Sequence, residues 1–145
     1  MNDNNYNIKA LNDTYKNAHI ALQSISDLLP AVDDEDIKKE LQEQYDGYEK
    51  FIGELSSFMA EKNIEPKNVN PFKKAMLWGS IKMKTLMDNS RNQVAEMMIK
   101  GTVTGINELT AMKNESENFD PEILEYIEKL LALEEEYEQR LKKYL

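Results

Sequence analysis

The chain contains one histidine, His19, and no cysteine. Helical proteins that hold a pair of metal ions use a Glu from each of two helices and a Glu-x-x-His from each of two others, all pointing inward. One imidazole cannot supply that set. Lys16 stands three residues before His19, and Ile99 and Tyr137 stand three residues after Glu96 and Glu134. Without thiols, disulfides, zinc knuckles, iron–sulfur clusters, c-type haem attachment and cysteine nucleophiles are excluded. A carboxylate-only site for a hard cation is the metal chemistry left open. Glu96 and Glu134 are its inward-leaning candidates, and His19 is a lone nitrogen donor one residue off an apolar seam.

Methionine offers a second chemistry. Met76, Met83, Met87, Met97, Met98 and Met112 fall in one stretch that also holds Gly79, Ser90, Gly101 and Gly105. Methionine fills irregular gaps against small residues, which is a core role. The same cluster also suits a soft-metal site, an axial haem ligand at a symmetric contact, or an adaptable binding groove. Trp78, the single tryptophan, suits either an anchor at a partner interface or packing on a neighbouring helix end. Trp78, Met83, Met87, Met97 and Met98 are therefore the candidate interaction residues. Ser90-Arg91 interrupts the apolar stripe and is placed to set register or to pair with Glu134 across a core. No base stands beside Ser90 to make it a nucleophile.

These residues need elements to position them. Ile8, Leu11, Tyr15, Ala18, Leu22, Ile25 and Leu29 recur at steps of three and four, a heptad seam that Pro30 ends. On this register Leu22 is a core residue. Acidic residues 33–36 open a second helix, whose stripe is Ile37, Leu41, Tyr45, Tyr48, Ile52, Leu55 and Met59, widened by Phe51 and Phe58. Asn70-Pro71 and Asp120-Pro121 each read as an N-cap followed by a proline in the first turn. They start a third helix over about 72–112 and a fourth carrying Ile123, Ile127, Leu130, Glu134, Tyr137, Leu141 and Tyr144. A third helix of that length spans roughly 60 Å and outruns its neighbours, so it should overhang or bend. Gly101 to Gly105 is one weak point and Gly79-Ser80 the other. Short connections between four amphipathic helices imply one all-α domain over 1–145, an up-down-up-down four-helix bundle with a long, kinked third helix.

Acids outnumber bases 27 to 18 over 145 residues, for a net charge of −9. That balance opposes nucleic-acid and anionic-membrane binding. By segment the charge is −1 over 1–32, −7 over 33–66, +5 over 67–105 and −6 over 106–145. The basic segment should pair with its acidic neighbours, or else hold an acidic or phosphate ligand. No apolar run is long enough to cross a membrane, and the start has neither a basic region nor an apolar one, so the expected location is the cytoplasm.

Residues 70–90 (NPFKKAMLWGSIKMKTLMDNS), 94–102 (VAEMMIKGT) and Gly105-Ile106, with 15–22 (YKNAHIAL) and Leu28-Leu29-Pro30, resemble a family of small uncharacterised helical proteins of anaerobic, often spore-forming bacteria. That family is similar to ferritin-like four-helix bundles of the rubrerythrin and spore coat F type. The resemblance covers nearly the whole chain and is most specific over 95–101. It implies the ferritin-like bundle and no assigned activity. Di-iron chemistry belongs to the wider superfamily, and Ile99 and Tyr137 stand where its pattern has histidine. The expectation is a non-catalytic interaction or structural protein without a cofactor, self-associating or bound to a protein partner. The alternative is a degenerate ferritin-like bundle that binds metal or haem for storage or redox work.

Overall fold

The structure, a computed structural model, describes residues 3–67 and 90–145. Within them the chain forms four α-helices and no strand: α1 (Asp3–Leu28), α2 (Glu35–Glu61), α3 (Arg91–Lys113) and α4 (Pro121–Lys142). Short 3-10 turns follow α1 at Leu29–Ala31 and α3 at Ser116–Asn118. No described helix is long and apolar enough to cross a membrane.

Local chemistry sets the boundaries. Pro30 lies in the 3-10 turn that ends α1. Asp34 caps α2, its Oδ1 accepting the Ile37 N–H at 3.0 Å. The end of α2 is a paired-hydrogen-bond stop, with Ile64 N–H donating to Met59 O at 2.9 Å and Asn63 N–H to Ala60 O at 3.0 Å. Asn63 takes φ 59° there, the left-handed conformation this stop requires and asparagine tolerates. Pro121 opens α4 as its first-turn proline.

The third element departs from the sequence expectation. Ser90 is exposed, has extended backbone angles (φ −61°, ψ 154°) and is the N-cap of a helix that begins at Arg91. A single helix over 72–112 is therefore interrupted at Ser90. Trp78, Met83, Met87 and Gly79-Ser80 lie outside the described residues. The suspected weak point at 101–105 is unbroken α-helix, with Thr102 and Thr104 hydroxyls bonded back to Met98 O and Lys100 O.

α1 packs along α2 and α3 along α4, and the two pairs meet around one apolar core drawn from all four helices. Ile25, Ile37, Leu41, Leu55, Leu109, Ile127, Leu130 and Leu141 are fully enclosed. In α1 the buried line is Leu11, Thr14, Ala18, Ala21, Ile25 and Leu28. Ile8, Tyr15, Leu22 and Leu29 are only half-buried beside it. The heptad period is right and the face is rotated one step, onto the line that carries the small residues Thr14 and Ala21. Met97 and Met98 are buried in the same core. Of the two roles their sequence context allowed, this is the gap-filling one; neither is presented as an interaction residue on an open groove.

Charge straps the helices together from outside. Arg91 at the start of α3 bonds Asp34 at 3.0 Å and Asp36 at 2.8 Å. Lys129 of α4 pairs with Glu54 of α2, and Arg140 of α4 reaches Glu40 and Glu43 of α2. The Lys129 ammonium holds Glu54 below the usual carboxylate range, and the Ile37 N–H together with Arg91 does the same for Asp34. Arg91 thus serves the basic-to-acidic pairing expected of its segment and does not face Glu134.

Candidate functional site

Each helix brings one residue to a common polar point inside the core. α1 supplies Asn17, α2 Tyr48, α3 Gly105 and α4 Glu134. Glu134 is 1% exposed, Tyr48 2% and Asn17 6%. The approach depends on Gly105. A methyl group built there would lie 2.6 Å from Glu134 Oε1 and 3.3 Å from Asn17 Oδ1. The missing side chain is the space the two oxygens share. A cavity of about 20 Å³ opens beside them, lined also by Tyr48, Gly101, Thr102 and Glu108. It has room for about one water-sized body.

The hydrogen bonds fix the orientation of each group. Asn17 Nδ2–H donates to Gly105 O at 3.1 Å. Flipping the amide would set two carbonyl oxygens against each other, so Oδ1 faces the cavity. The Tyr48 hydroxyl donates to Glu134 Oε2 across a long 3.4 Å. Glu134 Oε1 and Asn17 Oδ1 are buried and have no hydrogen-bond partner among the described residues. Burial pushes the Glu134 carboxyl well above its ordinary range, with Glu108 adding to the shift and the Tyr48 hydroxyl opposing it. Burial, then the Glu134 charge, also raises the Tyr48 phenol well above 10.

A polar seam between α2 and α4 leads outward from this point. The Tyr48 ring meets Tyr137 edge-on at 5.4 Å, and Arg140 lies 5.4 Å over the Tyr137 ring. Arg140 Nε binds Glu40 Oε2 at 2.9 Å, and Gln44 Nε2–H donates to the same oxygen at 3.0 Å. Burial raises the Tyr137 phenol to about 12. The seam is a chain of paired groups that ends at Glu134, whose Oε1 has no hydrogen-bond partner among the described residues.

Of the metal candidates read from sequence, Glu134 points into the core. Glu96 does not: it is exposed on α3, one position round from buried Ala95 and Met97, which corrects its expected inward lean. His19 is a half-buried flank residue whose ring stacks on Tyr15 at 5.6 Å; its Nδ1 is enclosed without a partner. The three are not brought together, and no group of three or more His, Asp or Glu is arranged for a metal among the described residues. Asn17, Tyr48 and Gly105 escaped the sequence reading. A traceable signal existed in Asn17, a weak helix former inside an apolar helical run.

Two other α1 asparagines have related roles. Asn7 Oδ1 accepts the Asp120 N–H at 3.0 Å, and Asn12 Oδ1 accepts the Lys67 N–H at 2.9 Å. With Asn17 they tie three other segments to α1 through backbone groups. Wider hollows among the described residues include about 430 Å³ beside Gly47 and Phe51 under the Lys129–Glu54 pair, about 640 Å³ where the start of α1, the end of α2 and the start of α4 meet, and about 410 Å³ beside Glu40 and Tyr144.

No family model, curated protein or solved structure matches this chain.

Gly105→Ala tests the geometry of this centre. A helical alanine normally gains about 1 kcal/mol over glycine. At Gly105 the methyl displaces a buried carboxyl, so the expected net result is a loss of about 1–2 kcal/mol in urea unfolding. Gly53 has open space around its Cα. Gly53→Ala should show the ordinary gain. Equal stabilisation by both changes would place Glu134 elsewhere.

Proposed function

We propose that this acidic chain is a non-catalytic helical bundle of the cytoplasm with a structural or interaction role, folded up-down-up-down in the ferritin-like manner and self-associating. The observation that carries this reading is the use of the interior polar groups. Asn7, Asn12 and Asn17 tie backbone segments to one another, and Tyr48, Tyr137 and Arg140 lock α2 to α4. Each of these contacts holds one element to another. Sedimentation velocity across micromolar concentrations is the test. A dimer or larger species that dissociates on dilution is expected, and a strict monomer throughout would remove self-association.

A second reading, a degenerate ferritin-like bundle that binds a cation, is favoured by the two unpartnered oxygens of Glu134 and Asn17. Elemental analysis and a visible spectrum of the purified protein separate it from haem binding. A Soret band would replace the cation with a porphyrin.

A further inference from the structure

We propose that Glu134 is the moving part of a proton-operated latch: as the uncharged acid it ties α4 to α1 and α2, and loss of its proton releases the tie to α1. The latch is independent of self-association, and it puts a proton where a cation-binding bundle would hold its ion.

The polarity of the neighbours selects the acid. Glu134 Oε2 accepts the Tyr48 hydroxyl at 3.4 Å. Glu134 Oε1 and Asn17 Oδ1 border the same space above Gly105, 2.6 and 3.3 Å from where a Cβ would stand. Both oxygens are enclosed and have no partner among the described residues. The Asn17 amide nitrogen already donates to Gly105 O, and the Thr102 hydroxyl to Met98 O. With Glu134 ionised, two acceptors share that space and repel. One proton on Oε1 turns them into a donor and an acceptor. Glu134 then makes two bonds, one donated to α1 and one accepted from α2.

No cation offsets a charge at this point. α1 presents the neutral Asn17, α2 the Tyr48 phenol and α3 a second acid, Glu108, on the cavity wall. α4 itself carries Tyr137 one turn on, its ring against Tyr48, and Arg140, which is held by Glu40 and Glu43. About 20 Å³ of free space is too little to hydrate a carboxylate. Burial, with Glu108 adding to it and Tyr48 opposing, accordingly holds the carboxyl well above its ordinary 4.5.

The folded chain therefore keeps a proton that the unfolded chain releases near pH 4.5. Stability from this group is full below that pH and is lost as pH rises through the folded-state value. Over that window the folding equilibrium constant falls by up to about tenfold per pH unit. The Glu134 O–H bond breaks, the proton passes to solvent, and the carboxylate left behind repels Asn17 Oδ1.

Urea unfolding of wild type and Glu134→Gln from about pH 4 to about pH 9 tests the latch. A glutamine amide keeps both bonds at every pH, since its N–H replaces the acid O–H and its carbonyl accepts from Tyr48. The two proteins should match at the acid end. Above about pH 5 the variant should gain on wild type by up to about tenfold in the folding equilibrium constant per pH unit. The difference between the two profiles cancels His19 and every other titrating group the proteins share. Carbon-13 NMR of wild type carrying labelled glutamate is the companion measurement and needs no variant to fold. One side-chain carboxyl should keep its protonated chemical shift at neutral pH. Glutamate carboxyls that are all ionised at neutral pH would overturn the latch. So would a Glu134→Gln protein weakened equally at every pH, which would mark Glu134 as a charge held by a cation.

Discussion

Ile25→Asp should leave the chain unfolded, while Leu22→Asp leaves it folded and weakened. Ile25 is 0% exposed, on the line of α1 that faces the other helices. Removing it forfeits roughly 1.5–3 kcal/mol of apolar burial. The aspartate that replaces it has no enclosed cation to meet, and an unpaired buried charge adds several kcal/mol more. A domain typically holds only about 5–15 kcal/mol in total. Leu22 is half-buried at the edge of the same helix. An aspartate there can turn its carboxylate to water, so the change should cost about 1–2 kcal/mol, from lost packing and poorer helix propensity. Circular dichroism of both variants decides the matter. Equal loss of helix in the two would restore the seam through Tyr15, Leu22 and Leu29 as the buried face.

Gly47→Ala should be the most damaging conservative change on α2. The Tyr137 hydroxyl lies against Gly47 so closely that a methyl group would run into it, and the ring carbon bearing the hydroxyl would be 3.0 Å away. Tyr137 has little freedom to retreat, being 3% exposed between the Tyr48 ring and the Arg140 guanidinium. Overpacking of this kind costs about 1–3 kcal/mol, which outweighs the roughly 1 kcal/mol an alanine gains in a helix. The expected net loss is about 2 kcal/mol. Tyr137→Phe removes the colliding oxygen and should recover part of it, giving a coupling of about 1–2 kcal/mol in the double-mutant cycle. A Gly47→Ala protein that melts higher than wild type would show that Tyr137 moves aside freely.

Much of the architecture was legible along the chain, since it depends on local chemistry. Pro30 and Pro121 mark helix ends through a fixed φ and Asp34 through its capping carboxylate, none of which needs a distant partner; Asp120 stands at the N-cap of α4 without a side-chain cap bond. The stripe of α2 was readable in part: Ile37, Leu41, Tyr48, Leu55 and Met59 are buried as their spacing implied, whereas Tyr45 and Ile52 are half-buried and the inner line passes through Gln44 and Phe51 instead. In α1 the stripe was ambiguous: two lines one step apart share Leu11, Ala18 and Ile25. Which line faces inward depends on how closely the neighbouring helices come.

The interior site belongs to that second category. The sequence placed Glu134 on an apolar stripe, and that alone leaned it inward. It gave Glu96 an equal claim, and nothing in the local pattern separated the two. Packing separated them: Ala95, Met97 and Met98 turn α3 so that Glu96 meets water. Gly101 and Gly105 looked like weak points because helix propensity counts only the isolated backbone. Beside a neighbouring helix the same missing side chain is room, and at Gly105 it is filled by Glu134 and Asn17.

By itself, then, the order of residues determined the all-helical character, the helix ends outside the third stretch and the exclusion of cysteine chemistry and of sites that need two histidines. These follow from interactions within a few positions of chain and from which side chains exist at all. Tertiary structure decided which face of α1 is inside and which carboxylate is enclosed. It also decided that Asn17, Tyr48, Gly105 and Glu134 share one point. Those outcomes depend on distances between segments as many as 117 positions apart, such as Asn17 and Glu134, and no local preference encodes such a distance.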